Sequence, residues 1–172
     1  MIIAPETKDW TWVLARPCPE CGFDAASTTP ATAASALPEL LPRWHMVLRR
    51  QDAAERPNEA TWSALEYACH VRDVCSLFDL RLQQMLAADD PEFANWDQDQ
   101  ACIDGAYNGS DPAAVSAGLR DAGAEISASF AAVSQDQWPR TGRRSDGKSF
   151  TVRTISGYFL HEIVHHLHDV DG

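Results

Sequence analysis

Lysine is almost missing from this chain: Lys8 and Lys148 are the only two in 172 residues. With 25 acidic against 14 basic side chains, the formal net charge is −11. So acidic a chain is a poor match for a nucleic-acid backbone, whose phosphates need a concentrated basic face, and nucleic acid is not an expected partner. Long apolar runs are missing too, since none approaches the roughly 18–20 residues of a membrane span. The N-terminus has no signal-peptide pattern. The expectation is a cytoplasmic protein without a membrane partner. Five cysteines, an odd number, then read as mainly reduced thiols rather than a disulfide framework. No convincing strand run, internal repeat or low-complexity segment stands out.

What is present is helical periodicity. Hydrophobic content of 45% and charged content of 23% are those of a globular domain, and the length suits one core. Residues 1–30 read as an irregular N-terminal extension carrying Trp10, Trp12 and the string Cys18-Pro19-Glu20-Cys21-Gly22. That string has the shape of one zinc knuckle. A structural zinc site needs four ligands, and no second CxxC or CxxH pair exists. A packed turn, a metal shared with other ligands and a redox pair all stay open for it.

From residue 31 to 172 the spacing predicts four helices. The first carries Leu37, Leu41, Trp44 and Leu48, with Pro38 and Pro42 as a start or a kink. The second runs from about 61 to 88 behind a Ser63/Glu66 capping box, with Val71, Cys75, Phe78, Leu82 and Met85 as its core stripe and His70 beside it. A polar connection of more than twenty residues follows, too long for a plain turn, and reads as a crossover or a cover over a site. Its Asp97 and Asp99 resemble the start of a calcium loop, but the glycine and closing glutamate are not in place. Asp111-Pro112 opens the third helix as N-cap and N1. A second loop, with a candidate hairpin in 141–150, gathers Arg140, Arg143, Arg144, Lys148 and Arg153, the one local positive cluster. It is either a solvated loop or an anchor for anionic substrate. The fold class is therefore all-α, a four-helix bundle with a long crossover connection.

The last helix, TVRTISGYFLHEIVHHLHDV, carries the chemistry. Tyr158, His161, His165 and His168 share one narrow stripe at 100° per residue, and apolar residues cover nearly all the rest. Buried imidazoles need partners, and a metal ion is the simplest one, because His at i and i+4 reach one ion from one face. His161-Glu162-Ile163-Val164-His165 formally matches HExxH. A zincin takes its third ligand downstream, yet only seven residues follow His165. The third ligand must come from upstream, where His70 is best placed. Glu162, 100° round from His161, is expected to point away from the ion, and His166 to pack or hydrogen-bond.

A His in the second helix with His-x3-His in the fourth resembles the ligand pattern of the DinB/YfiT-like metalloenzyme family. The segments WSALEYACHVRD and HEIVHHLHDV carry that resemblance, which covers roughly 31 to the C-terminus. It implies that His70, His161 and His165 ligate one divalent ion, zinc first with nickel, iron or manganese as alternatives. It also implies a small-molecule thiol and an electrophilic substrate: relatives include thiol S-transferases using mycothiol or bacillithiol. In mycothiol-dependent relatives the first position of the final-helix motif can be Glu, whereas here it is His161, so that subclass is not singled out. A metal-dependent hydrolase, or a non-catalytic metal-binding stress-response module, fits the same residues. Asp73 and His168 are the catalytic candidates, with Asp73 oriented toward His70 and Asp169 toward His165. Arg143 and Arg144 are the candidate anchor for the thiol cosubstrate. Relatives often pair as homodimers, which is carried as an expectation.

Overall fold

The structure, a computed structural model, describes residues 9–172. The first eight positions of the expected extension lie outside the described residues. Five helices form: α1 (Pro30–Leu48), α2 (Ala64–Ala87), α3 (Gln98–Asp104), α4 (Pro112–Ala132) and α5 (Val152–Asp169). Four are the long helices of the bundle, and α3 is a single short one inside the polar connection.

The caps follow from local chemistry. Thr29 and Thr32 form a capping box at α1 with Pro30 at N1, so the helix begins well before Pro38 and runs through both internal prolines. Ser63 and Glu66 form the box at α2, and the Glu66 carboxylate also accepts hydrogen bonds from Arg56. Asp111 caps α4 ahead of Pro112. Thr151 and Thr154 close the box that starts α5. Asp97, whose acidic surroundings suggested a calcium loop, accepts from the Asp99 and Gln100 N–H groups at the start of α3. Each device satisfies backbone donors that a helix start leaves unpaired.

α4 packs against both α1 and α2, and α5 packs against the same two helices. Around the bundle the order is therefore α1, α4, α2, α5, and simple up-down order is absent. The connections that cross the bundle are 49–63 and 133–151, whereas the long connection 88–111 joins the neighbours α2 and α4. Trp44, Leu37, Leu65, Leu82, Leu119, Ile126, Phe130, Phe159 and Ile163 fill the centre, all but inaccessible to solvent. Cys69 and Cys75 are core thiols. Among the described residues, no helix is long and apolar enough to cross a membrane.

A small three-stranded sheet, which the sequence signals only as a hairpin in 141–150, closes one end. β1 (Glu92–Phe93) pairs parallel with β2 (Thr141–Arg144), and β2 pairs antiparallel with β3 (Ser149–Thr151). The turn between β2 and β3 places Gly147 at φ 89°, a conformation that favours glycine.

The N-terminal segment lies along α5 as two 3-10 turns, Trp10–Leu14 and Ala25–Ser27. At Gly157 the second turn crosses so closely that a Cβ would run into the Ala25 carbonyl oxygen. Here the missing side chain is a packing requirement.

Candidate metal centre

Two pairs of side chains interleave on α5. His161 and His165 are one turn apart, and so are Glu162 and His166, rotated by one residue or 100°. The rotation sends the two pairs to different neighbours. His70 from α2 gathers with Glu162 and His166, and these three offer donor atoms within 4.8 Å of one another. His161 and His165 gather with Cys18 and Cys21, again within 4.8 Å. The expected trio of His70, His161 and His165 is thus shared out between two clusters. Glu162, expected to point away, and His166, expected only to pack, instead face His70.

In the first cluster His70 is 0% exposed, and neither ring nitrogen has a hydrogen-bond partner. Such an imidazole is costly to bury without a ligand. The Glu162 carboxylate lies 3.6 Å from His70 Nε2 and 3.5 Å from His166 Nε2. Those gaps exceed a good hydrogen bond but match the spacing of atoms that share an ion, roughly 3.3 Å for bonds of 2.0–2.1 Å. His166 Nδ1 lies 2.8 Å from Asp169 Oδ2, so the carboxylate fixes the ring and leaves Nε2 for a metal. The donor set of two imidazoles and one carboxylate fits a divalent ion of the zinc, nickel, iron or manganese type.

Burial and ion pairing oppose each other here. Desolvation lowers the His70 pKa, keeping the ring in the neutral form that a metal needs. Burial also pushes His161 down to about 4. For His166 burial acts the same way, but Asp169 and Glu162 outweigh it and raise the ring to about 9, so a metal ion at Nε2 would have to displace a proton. Burial would raise Glu162, yet its contacts with His166 and His70 hold it far below the usual carboxylate range.

The cluster sits in the wall of a cavity of about 910 Å³. Trp96, from the connection 88–111, stacks on His70 at 5.3 Å between ring centres. The long connection therefore serves as a cover over the site, the second of the two roles its length suggested. Arg81 and Arg144 also line the cavity. Arg81 is buried, packs over Phe78 and Phe93, and is lowered to about 10 by desolvation. Sequence gives no signal for it, because an Arg on the edge of an apolar stripe looks like any surface arginine.

The remaining candidates fall elsewhere. Arg143 is half-exposed and pairs with Asp90 at 2.8 Å, while its neighbour Arg144 turns into the cavity. Arg140 donates to the Met85 and Ala88 carbonyls, capping the end of α2. Asp73 accepts hydrogen bonds from the Tyr107 hydroxyl and the Arg72 guanidinium and is outside the cavity wall. His168 is exposed and likewise outside it. Asp169, expected to orient His165, stands 3.8 Å from it and makes its short contact with His166.

A bundle that brings an imidazole of its second long helix to a Glu-x3-His pair on its last, beneath a covered cavity, defines a helical protein with a site suited to a divalent ion. The chain belongs to the DinB superfamily, whose family model matches residues 47–170. A solved structure, "YfiT from Bacillus subtilis is a probable metal-dependent hydrolase with an unusual four-helix bundle topology", superposes with a TM-score of 0.72. It shares 15% identity over 83% of this chain and 85% of that one, a likeness of fold. No curated protein matches the chain.

Proposed function

We propose that this protein is a divalent-metal-dependent enzyme that transfers a low-molecular-weight thiol of the mycothiol or bacillithiol type to an electrophile. The observation that carries the reading is the cluster of His70, Glu162 and His166 beside the cavity. Counted from the pair that gathers with His70, the first position of the motif is Glu162 rather than the expected His161, and Glu there is a variation that mycothiol-dependent relatives can carry. These three residues would hold a divalent ion, and the chemistry it would supply there is Lewis acidity toward a thiol or water.

The chain's own groups do the rest. His70, Glu162 and His166 would hold the ion from one side, facing the cavity. Asp169 holds His166 in one orientation. Trp96 and Trp62, both close to His70, exclude water from one side of it. Arg81 and Arg144 replace the Arg143/Arg144 pair as the proposed anchor, since a guanidinium suits a carboxylate on either reactant.

Metal-assisted hydrolysis is the second reading. It is favoured by the description of the YfiT structure as that of a probable metal-dependent hydrolase, and it uses the same three donors. The experiment compares metal-reconstituted wild type with His70→Ala and Glu162→Gln. Thiol transfer predicts consumption of mycothiol or bacillithiol with a model electrophile, falling to the metal-free level in both variants. Ester or amide turnover without added thiol favours hydrolysis instead. A non-catalytic module shows neither reaction although metal is bound.

A further inference from the structure

The cysteine string at the N-terminus finds its missing half at the other end of the chain. Cys18 and His165 are 147 positions apart, yet Cys18 Sγ lies 3.7 Å from His165 Nδ1. We propose that Cys18, Cys21, His161 and His165 form a second, closed tetrahedral site for a zinc-type ion, which fastens the N-terminal segment to α5. Neither cysteine falls within the matched family span 47–170.

Four observations converge on this assignment. The donor set is two thiolates and two imidazoles, the Cys2His2 set of structural zinc sites. Bonds of about 2.3 Å to sulfur and 2.0–2.1 Å to nitrogen at tetrahedral angles put donors roughly 3.3–3.8 Å apart. The 3.7 Å between Cys18 and His165 is such an edge, and all four donors lie within 4.8 Å. His161 is 1% exposed with both ring nitrogens unpartnered, an orphan that an ion would satisfy. The Cys18–Gly22 turn is already folded as a knuckle: Gly22 N–H donates to the Cys18 carbonyl at 2.8 Å, Cys18 N–H donates to the Phe23 carbonyl at 2.9 Å, and Gly22 has φ 74°.

Second contacts support His165 as a ligand through Nδ1. Its other nitrogen, Nε2, faces Glu20 at 3.5 Å, the carboxylate partner that ligating imidazoles commonly have. Two thiolates also neutralise a divalent ion, which lowers the cost of burying it. Both cysteines are free thiols, which leaves them available as ligands.

The site has a structural consequence. Trp10 packs on His165 at 4.7 Å and on His161 at 5.7 Å between ring centres. The segment that the ion would hold also brings Asp9, Trp10 and Glu20 to the cavity wall. Fastening it fixes one side of the cavity, while the His70–Glu162–His166 donors remain separate.

The test uses the full-length protein and counts metal directly. Wild type purified with zinc should hold about two equivalents per chain, and Cys18→Ser/Cys21→Ser about one. Cobalt substituted for zinc should show thiolate-to-metal charge-transfer absorption in wild type and in His70→Ala. That absorption should vanish in Cys18→Ser/Cys21→Ser. His165→Cys supplies a third thiolate, so it should keep the site and strengthen the absorption even if the double variant folds poorly. Absence of the absorption from folded cobalt-loaded wild type overturns the proposal. So does finding Cys18 and Cys21 joined as a disulfide in freshly purified metal-loaded protein. Loss of turnover with the charge-transfer band intact would count against the enzymatic reading alone.

Discussion

Glu162 shows how a single position can change role with a 100° rotation. Its carboxylate is placed between two imidazoles, and its retained negative charge comes from them rather than from solvent. Replacing Glu162 by Gln keeps the shape but removes the charge. Metal bound at the His70 cluster should then fall toward zero while the cysteine-bound equivalent stays, as checked by mass spectrometry of each variant. Asp169→Asn should weaken affinity at the same cluster by about 10–100-fold, because His166 loses its orienting acceptor; competition against a chromophoric chelator reads this out. A third residue, Glu66, lies one turn before His70 on α2 and outside the cluster. Burial pushes the Glu66 carboxyl up, but the Arg56 guanidinium and the Ser63 N–H prevail and hold it below 4.5. A depressed carboxyl adds stability that is complete above pH 4.5 and is lost as pH falls through the lower, folded-state pKa. Glu66→Gln should therefore cost about 1–2 kcal/mol near neutrality, since it leaves the Arg56 guanidinium facing a neutral group while that side chain, a quarter exposed, stays partly screened by water. The gap to wild type should shrink below pH 4.5 in urea titrations.

At the scale of elements, the crossing of the Ala25–Ser27 turn over α5 is set by Gly157. Gly157→Ala improves helix propensity by up to about 1 kcal/mol, but its Cβ meets backbone that cannot rotate away. The expected net result is destabilisation, with faster hydrogen exchange in 18–28 and little change in α4. Retention of wild-type protection there would show that the turn can shift without loss. The connection 88–111 has a similar logic. Its short β1 docks on β2 and carries Phe93 into the core, which holds Trp96 over His70. Proline 38 and proline 42 illustrate the opposite case: α1 continues through both, because packing of Leu37, Leu41 and Trp44 in the core outweighs the lost backbone hydrogen bonds.

For the whole molecule, metal is expected to contribute to stability as well as to chemistry. An ion that binds only the folded state stabilises it by mass action. Chelation of both clusters should therefore lower the thermal midpoint, and Cys18→Ser/Cys21→Ser should abolish part of that difference. The bundle itself should persist, since Trp44, Phe130, Phe159 and their aliphatic neighbours supply most of the core, to which the described N-terminal segment adds only Val13 and Ala25 as buried residues. Circular dichroism of the chelated protein checks this: collapse of the helical signal would show instead that the ions are required for folding.

Amphipathic spacing and capping residues determined the four long helices, because both act between positions three or four apart in the chain. The same spacing singled out His161 and His165 on the last helix as candidate ligands, and the lack of a third one downstream pointed to His70. It left open which of two interleaved i, i+4 pairs would meet which partner. That choice depends on the rotation of α5 against α2 and on where the N-terminal segment lies, neither of which is encoded locally. Only the tertiary structure turned Glu162 and His166 toward His70, and set Cys18 and Cys21 against His161 and His165. Periodicity fixes a face to within a residue, but one residue on a helix is 100°, enough to separate one cluster from the other.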